Sequence, residues 1–381
     1  MASDLHDARR RVSYDASRNL CFMDLKGAAW MVRSHEQSVS CLLLLEDDGL
    51  LAGGWDGKVT RWSAEGDIVW TTNTPDRISA FAVHAKHVAL TSGLHVVCLD
   101  LDTGEEQWSA ALEGSADAVQ WWEGQLRAIS SVYDIEHNDF IESAIWNFSP
   151  EGALEWVERM DERPWAMVAE ETTLLAGLGR PRCGWLDISK APPFHHTPSP
   201  TGAPITCASP HPSGGLFGQA DGAVVTATGD ALVTQMASVQ QVQARPDGTF
   251  IVANDEGGFH AFDQHGQHIW DHEGTTIGAF TLGFELEASP SVWLARSQNN
   301  RSELQVFNAM DGSEHSSAVL ATVNVMTGNQ RRCAVGCEDG SVYVWEQGLL
   351  QRRMHDDAST SEPVDERVSA LQAKLRALRE R

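Results

Sequence analysis

The chain has 381 residues, of which 42% are hydrophobic, 21% are charged and 32 are glycine. These values are typical of a globular protein and argue against a disordered or fibrous one. The formal net charge is −25, from 53 acidic and 28 basic residues, and it repels phosphate groups, so we expect neither nucleic acid nor an anionic membrane as a partner.

The chain begins with a polar stretch. Residues 1–19 contain no apolar run of the signal-peptide type, and nowhere do eighteen uncharged apolar residues follow one another. We therefore expect a cytoplasmic protein with a flexible tail at residues 1–11. The seven cysteines are scattered through apolar stretches, where Cys serves as a small hydrophobic residue rather than as a disulfide partner or metal ligand.

A repeat runs through most of the chain. Its clearest copies are LLAGGWDGKVTRWSAEGDIVW at 50–70, VALTSGLHVVCLDLDTGEEQW at 88–108, FIVANDEGGFHAFDQHGQHIW at 250–270 and CAVGCEDGSVYVWEQGLLQ at 333–351. Each copy has an apolar strand, a tight turn, an alternating strand, a glycine turn and a further strand. The DG and EGG turns supply the positive φ that tight hairpins require, so the pattern predicts hairpins rather than helices.

The residue that follows the second turn recurs at intervals of 35 to 48 positions. It occupies Trp70, Trp108, Trp156, Phe194, Val233, Trp270, His315 and Leu350. A unit of about 38–40 residues holds four short strands, which is the size of one propeller blade. We expect one such residue per unit to pack between blades. The tryptophans expected to do so are Trp70, Trp108, Trp156 and Trp270, together with Trp30, which lies forty residues before Trp70.

A partial copy at residues 19–32, NLCFMDLKGAAWMV, contains Trp30 but only the last two or three strands of a unit. We therefore expect the N-terminal strands to complete the last blade and close the ring. The sequence predicts a single all-β domain at residues 12–354, a β-propeller of eight four-stranded blades. Seven blades are the alternative, if the unit at 277–321 is irregular.

Three segments depart from the repeat. Residues 131–143 and 297–303 are polar insertions that we expect to protrude as loops, and residues 191–204 contain five prolines and predict a rigid, extended connection. In AVQWWEGQ, Trp121 and Trp122 point to opposite faces if the segment is extended. We expect one of these rings to pack between blades and the other to reach the surface as a contact for a partner.

The densest group of potential metal ligands lies in HAFDQHGQHIWDH. It contains His260, Asp263, His265, His268, Asp271 and His272. Strand alternation spreads these residues over both faces of a hairpin and its turn, so few of them could converge, and we expect a solvated hairpin rather than a metal site.

The last segment differs in composition. We expect a polar linker at residues 355–363 and a short amphipathic C-terminal α-helix at 364–381. The apolar spacing is that of a heptad seam, formed by Val364, Val368, Leu371, Leu375 and Leu378. The seam is flanked by basic residues, among them Arg367, Lys374 and Arg379.

Three roles are open for this helix. It could pack on the propeller, bind an acidic helix of a partner protein, or pair with its own copy. Self-pairing is not favoured, because Lys374 at a g position would face Arg379 at an e position.

The repeats resemble those of two known families. The stretch LDLDTGEEQW at 99–108 resembles the tryptophan-docking repeat of PQQ-like (quinoprotein-type) β-propellers, and GWDGKVTRW and CEDGSVYVW resemble WD40 blades. The resemblance covers about residues 12–354 and implies a β-propeller, but it implies little about function. The repeats also resemble the propeller lipoprotein of outer-membrane barrel assembly, which is exported and lipidated on Cys, whereas Cys21 lies in RNLCFMD without a preceding signal.

Two functions follow from this fold. The first is a non-catalytic cytoplasmic scaffold that binds protein partners through its loop faces and its C-terminal helix. The alternative is an enzyme or small-molecule binder at the mouth of the central channel, of the lactonase or quinoprotein type. The sequence contains no nucleophile elbow, Walker loop or dinucleotide fingerprint, so we predict no catalytic residue, no cofactor and no metal.

Overall fold

A computed structural model describes residues 24–359, apart from residues 137 and 235. It contains eight four-stranded antiparallel sheets. The first strands of successive sheets contact one another in a closed circle, so each sheet is one blade of an eight-bladed β-propeller. This confirms the prediction of eight blades and excludes the alternative of seven.

The strands of the first half of the ring follow β1 (Met31–Ser34), which belongs to the last blade. Blade 1 contains β2 (Val39–Leu44), β3 (Leu50–Gly54), β4 (Lys58–Trp62) and β5 (Ile68–Asn73). Blade 2 contains β6 (Ile78–His84), β7 (His87–Ser92), β8 (His95–Asp100) and β9 (Glu106–Ala111). Blade 3 contains β10 (Ser115–Trp122), β11 (Gln125–Asp134), β12 (Asp139–Phe148) and β13 (Leu154–Met160). Blade 4 contains β14 (Pro164–Ala169), β15 (Leu174–Leu178), β16 (Gly184–Asp187) and β17 (His195–Pro198).

The second half of the ring ends in a helix. Blade 5 contains β18 (Ile205–Ser209), β19 (Leu216–Gln219), β20 (Val224–Thr226) and β21 (Ala231–Val233). Blade 6 contains β22 (Val239–Ala244), β23 (Phe250–Asn254), β24 (Phe259–Phe262) and β25 (His268–His272). Blade 7 contains β26 (Ile277–Leu286), β27 (Ser289–Gln298), β28 (Arg301–Asn308) and β29 (Glu314–Ala321). Blade 8 contains β30 (Val323–Gly328), β31 (Arg332–Cys337), β32 (Ser341–Glu346) and β1, and helix α1 (Gln347–Ser359) follows.

The strand register defines two faces of the ring. Val39 pairs with Gly54 in blade 1, and Lys58 pairs with Asn73. The start of the first strand, the turn between the second and third strands, and the connection to the next blade therefore lie on one side. We call this side the upper face. The other two turns of each blade lie on the lower face.

The ring closes through β1, which pairs with β32 so that Met31 lies opposite Val344. Trp345 Nε1 donates to the Leu25 carbonyl oxygen at 2.7 Å, and the His35 amide donates to Gly340 at 2.8 Å. The N-terminal side therefore completes the last blade, as predicted. It contributes one strand rather than the two or three expected, because β30, β31 and β32 all come from the C-terminal side.

Tryptophans on or beside the outermost strands bond to the neighbouring blade. Trp70 Nε1 donates to the carbonyl oxygen of Leu101 at 2.8 Å, and Trp108 Nε1 donates to that of Pro150 at 2.8 Å. Each ring lies against a turn of the next blade between its third and fourth strands. Gly104, with a φ of +72°, leaves room for Trp70, because a Cβ there would lie 2.5 Å from the indole ring.

The other three predicted packing tryptophans vary around this pattern. Trp270 Nε1 donates to Ala309 at 3.1 Å. Trp30 bonds to Ala64 at 3.4 Å, but its side chain is 43% exposed, because it lies at the junction where β1 begins. Trp156 instead packs edge-on against Phe194, with ring centroids 5.6 Å apart.

The two predicted insertions are mostly strand rather than loop. They lengthen the hairpins between the second and third strands of blades 3 and 7, whose strands run to Asp134 and Gln298 before they turn. Blades 3 and 7 lie four blades apart, on opposite sides of the ring. The proline-rich segment supplies β17, the outermost strand of blade 4.

Helix α1 begins directly after β32, so residues 355–359 of the predicted linker are helical. Leu350, expected at the blade interval, lies in this helix and is buried in a cluster that includes Leu25 and Trp345. The predicted helix at 364–381 and its partner-binding residues lie outside the described residues. In the described part of the chain, no helix is long and apolar enough to cross a membrane.

Candidate interaction face

Every blade has a β-bulge at the same point of its innermost strand, one or two residues from its upper end. The register shifts there in all eight first strands, all of which are described. The bulged residues are Ser40, Ser79 with Ala80, Asp117, Trp165, Thr206, Gln240, Gly278 and Asn324. Because bulges redirect side chains, these residues form a ring around the upper mouth of the channel.

Three bulged side chains bond to the blade that follows. Ser40 Oγ donates to the Ile78 carbonyl oxygen at 2.6 Å, and Thr206 Oγ1 donates to that of Val239 at 2.5 Å. Asn324 Nδ2 donates to Val39 at 3.1 Å across the closure of the ring. In each case the acceptor is the first residue of the next innermost strand, so the bulges join the blades around the channel.

Blades 3 and 4 depart from this pattern. Asp117 accepts hydrogen bonds from the hydroxyl groups of Ser115 and Ser131, and it lies 3.5 Å from Nη2 of Arg163. The bulged residue of blade 4 is Trp165, whose side chain is 49% exposed. Among the eight bulged residues, all of which are described, Asp117 is therefore the one carboxylate, already partnered, and Trp165 is the one indole ring.

Arg163 connects these groups. Its guanidinium carbon lies 3.6 Å from the ring centroid of Phe140 and 4.0 Å from that of Trp165. Burial lowers the pKa of Arg163, and the charge of Asp117 partly opposes that shift. The guanidinium stays charged and contacts both rings, which also contact each other edge to face with their centroids 5.9 Å apart.

A cavity of about 790 Å³ opens beside Trp165 on the upper face. It extends across the first strands of blades 4, 5 and 6 and reaches the hairpin of blade 3. Its lining includes Asp139, Phe140, Asp161, Pro204 and Gln240. The lining also contains Arg163 and Arg180. The cavity therefore combines aromatic walls with charges of both signs.

Large apolar side chains are exposed over one half of the upper face. They lie on the hairpins between second and third strands of blades 1 to 3 and on the first strand of blade 4. The set, which we call the apolar crescent, contains Trp55, Leu94, Tyr133, Ile135, Ile141 and Trp165. The guanidinium carbon of Arg77 lies 4.4 Å from the centroid of the Trp55 ring. Both tryptophan rings of the crescent are thus held in place by arginine.

The corresponding turns of blades 5 to 8 are polar. They contain Asp221, Asp255, Glu256, Asn299, Asn300, Glu338 and Asp339. None of the exposed large apolar side chains of the described residues lies on these turns. The corresponding turn of blade 4 contains Arg180 and Arg182. The large exposed apolar side chains of the upper face therefore lie on blades 1 to 4, among charged residues, although the backbone repeats around the ring.

Trp121 and Trp122 do not provide the exposed contact that we predicted. Their side chains are 6% and 8% exposed. Trp121 Nε1 donates to the Ala82 carbonyl oxygen of blade 2, whereas Trp122 packs in the cluster shared by blades 3 and 4. Both faces of an innermost strand are covered by neighbouring blades, so strand alternation brings neither ring to solvent.

The histidine-rich hairpin of blade 6 divides as strand alternation predicted. Asp263 and His265 lie in the turn, and His272 faces blade 7, where its Nε2 lies 2.8 Å from the Gly312 carbonyl oxygen. His260 and Asp271 face each other across β24 and β25. They meet His268 and also Glu273, which the sequence analysis did not select.

Sequence analysis missed the crescent. Trp55 lies at a turn of the repeat copy at 50–70, and neither Leu94 nor Trp165 belongs to a recurring pattern in the sequence. The available signal was that large apolar residues occupy turns and strand starts in blades 1 to 4, where the other repeats have polar residues.

Comparison with known proteins supports the fold. Residues 29–63 match the family model for the WD domain, G-beta repeat. BamB from Moraxella catarrhalis is similar in structure, with a TM-score of 0.66, 17% identity and coverage of 83% of this chain and 98% of that chain. Sqt1 from Saccharomyces cerevisiae also has a TM-score of 0.66, with 11% identity and coverage of 85% and 99%.

A third similar structure is the computationally designed Ika8 protein, with a TM-score of 0.60, 16% identity and coverage of 82% of this chain and 98% of that chain. No curated protein sequence matches the chain significantly. At these identities the likeness concerns the fold alone. The repeat match, the eight blades and these structural neighbours together support a WD40-like β-propeller protein.

Proposed function

We propose that this protein is a non-catalytic interaction module whose protein partner docks on the apolar crescent. The observation that carries the proposal is the exposure of six large apolar side chains on one half of one face. Single exposed apolar residues are ordinary, whereas a grouped set marks an interaction surface. Tryptophan and tyrosine are also the side chains that contribute most often to binding energy at interfaces.

The acidic hairpin of blade 3 and the net charge of the chain favour a basic partner segment, although Arg77 and Arg163 contact the two tryptophan rings of the crescent. On the blade 3 hairpin, apolar side chains alternate with Asp134, Glu136, Asp139 and Glu142. The whole chain carries a formal charge of −25, which speeds the approach of cationic partners. We therefore expect the partner to present apolar or aromatic anchors flanked by Lys or Arg.

The catalytic alternative receives less support from the mouth of the channel. A lactonase-like site needs several carboxylates that hold a metal ion there. Among the bulged residues around the mouth, Asp117 is the carboxylate, and it is engaged by Ser115, Ser131 and Arg163. The described residues do contain a group of three potential metal ligands, but it lies on the outer strands of blade 6.

The test compares two triple variants in affinity purification from the native organism, followed by calorimetry with the purified partner. The crescent variant combines Trp55→Ser, Leu94→Ser and Trp165→Ser. The control combines Ile68→Ser, Ile269→Ser and Val319→Ser, which removes similarly exposed apolar side chains from outermost strands. We expect the crescent variant to lose the partner and the control to keep it. The reverse result would refute the proposal.

The C-terminal residues provide a second, separate part of this proposal. The seam from Val364 to Leu378 and its basic flanks suit an acidic helix of a partner protein. Deletion of residues 364–381 should then remove a second partner without affecting binding to the crescent. Unchanged partners and an unchanged oligomeric state would show that the segment has no such role.

We also propose a cytoplasmic location. The support is the acidic, lysine-poor composition, with five lysines in 381 residues. The test is cell fractionation followed by detection with an antibody against the protein, which we expect in the cytoplasmic fraction.

A further inference from the structure

The outer hairpin of blade 6 brings nitrogen and oxygen donors together on one side. His260 on β24 lies opposite Asp271 on β25. Glu273 follows two residues later, so its side chain points to the same side as that of Asp271. One donor atom from each of these three residues lies within 4.8 Å of the other two.

His268 lies beside this group but outside the set of three mutually close donors. A bulge between Ala261 and Phe262 shifts the register there, so that His268 lies opposite Phe262. Its Nε2 lies 3.0 Å from Oδ1 of Asp271, and the rings of His260 and His268 have centroids 6.5 Å apart. Two imidazoles and two carboxylates therefore share one small region.

The contacts of this group leave room for an ion. The Nε2 atom of His260 lies 3.4 Å from Asn254 Nδ2 and 3.9 Å from Glu273 Oε1, and both distances are long for a hydrogen bond. Arg296, on the neighbouring blade, donates its hydrogen bonds to the carbonyl oxygens of Gly257, His272 and Thr275. The charge of Arg296 interacts with that of Glu273, and Asp271 adds a second carboxylate to the group.

The spacing suits a small metal ion. Two donors that each lie about 2.1 Å from one ion are at most about 4.2 Å apart. The carboxylate side chains of Asp271 and Glu273 are 47% and 67% exposed and His268 is 49% exposed, so they can move the short remaining distance. His260 is the fixed ligand, because its side chain is 16% exposed.

We propose that His260, His268, Asp271 and Glu273 bind one divalent transition-metal ion, with zinc the best match. Imidazole and carboxylate donors in a group of four suit Zn²⁺, and Co²⁺ can replace it as a probe. Ca²⁺ and Mg²⁺ prefer six or more oxygen ligands and are a poor match. The ion would join the two outermost strands of blade 6 at the upper face and would act structurally.

The experiment uses the untagged full chain, reduced and freed of metal, titrated with ZnCl₂ in a calorimeter. We expect one ion per chain for the wild type. Binding should weaken at least tenfold in His260→Gln and in the double variant Asp271→Asn with Glu273→Gln. The matched control is His265→Gln, which removes an imidazole from the turn of the same hairpin and should bind zinc as the wild type does.

A second measurement gives the ligand type. Bound Co²⁺ should show visible d–d absorption in the wild type and in His265→Gln, and this absorption should be absent from His260→Gln. Failure of the wild type to bind zinc, equal binding by all variants, or a thiolate charge-transfer band would overturn the proposal. If His260→Gln does not fold, the exposed Glu273→Gln replaces it, with a weakened affinity again expected.

Discussion

The contacts between neighbouring blades and the apolar crescent are both built around tryptophan, but they differ in burial and in repetition. Trp70 and Trp270 are each 7% exposed and bond to a carbonyl oxygen of the next blade. Trp55 and Trp165 are 55% and 49% exposed, and each contacts an arginine of the upper face. The first pair recurs at the blade interval, whereas the second pair does not.

The difference shows how one repeated backbone serves two purposes. A tryptophan at a repeated position has a neighbour supplied by the next repeat, so it contributes to the stability of the ring. A tryptophan that interrupts the pattern on the upper face has no such neighbour over much of its surface. It is therefore available to another molecule.

The largest expected effect is a loss of stability on replacing a tryptophan that packs between blades. Trp70→Ala should lower the free energy of unfolding by about 3–5 kcal/mol, as for other buried aromatic residues, measured by urea denaturation. Trp70→Phe keeps an aromatic ring but loses the hydrogen bond to Leu101, so it should cost less. A Trp70→Ala protein with normal stability but without its partner would contradict the division between the two classes of tryptophan.

The next effect should appear in binding. Trp165→Ala should weaken the partner complex by about 2 kcal/mol or more, which is the usual loss at a central aromatic contact, measured by calorimetry. Its free energy of unfolding should change by less than about 1 kcal/mol, because surface substitutions cost little. Val319→Ala, which removes an exposed apolar side chain from the outermost strand of blade 7, is the control and should leave binding unchanged. Equal losses in both variants would remove the distinction between the crescent and other exposed apolar residues.

A third test measures how pH affects the stability of the junction where the ring closes. His35 is 1% exposed, and neither ring nitrogen has a hydrogen-bond partner among the described residues. Burial lowers the pKa of His35 below its usual 6.5, and the charge of Asp56 partly opposes that shift. The unfolded chain therefore binds this proton more readily than the folded chain, so stability should fall as the pH drops below about 6.5.

The contribution of one such proton is at most about 1.4 kcal/mol per pH unit. The slope of stability against pH is measured from the unfolding midpoints of the wild type and His35→Gln between about pH 7.5 and about pH 5. These limits lie roughly one unit or more above and below an ordinary histidine pKa. We expect a shallower slope in the variant. Parallel slopes would show that His35 does not contribute to the acid sensitivity.

The smallest effect should come from the bulges around the channel. Ser40→Ala removes the hydrogen bond to the Ile78 carbonyl oxygen and should cost about 1 kcal/mol of unfolding free energy. Thr206→Val removes the corresponding hydroxyl group of blade 5 and should cost about the same. Chemical denaturation measures both, and two neutral substitutions would show that these bonds do not stabilise the ring.

The sequence predicted the blade number because its signals are local. Glycine turns and the recurring tryptophans are visible within about forty residues, and they mark each unit without knowledge of the ring. The single strand that closes blade 8 was harder to predict, because β1 pairs with residues more than 300 positions away. The burial of both Trp121 and Trp122 also depends on neighbouring blades rather than on strand alternation.

The candidate sites could be predicted only in part. Strand alternation correctly placed His272 and His260 on opposite sides. The position of His268 near Asp271 depends on the bulge after Ala261, and no sequence pattern predicts that bulge. The crescent depends on which turns share a face and on which blades are neighbours. Trp55, Leu94 and Trp165 are far apart in the sequence, so only the closed ring places them on the same half of one face.

The junction at blade 8 also has a consequence for how the chain folds. The hydrogen bond from Trp345 to Leu25 joins residues 320 positions apart. This junction therefore cannot form until nearly the whole propeller has been synthesised. Contacts so distant in sequence form slowly, and until then strand edges remain open to pairing with other chains. Once it forms, the pairing of β1 with β32 covers the edge of β32 and removes it as a site for pairing with another chain.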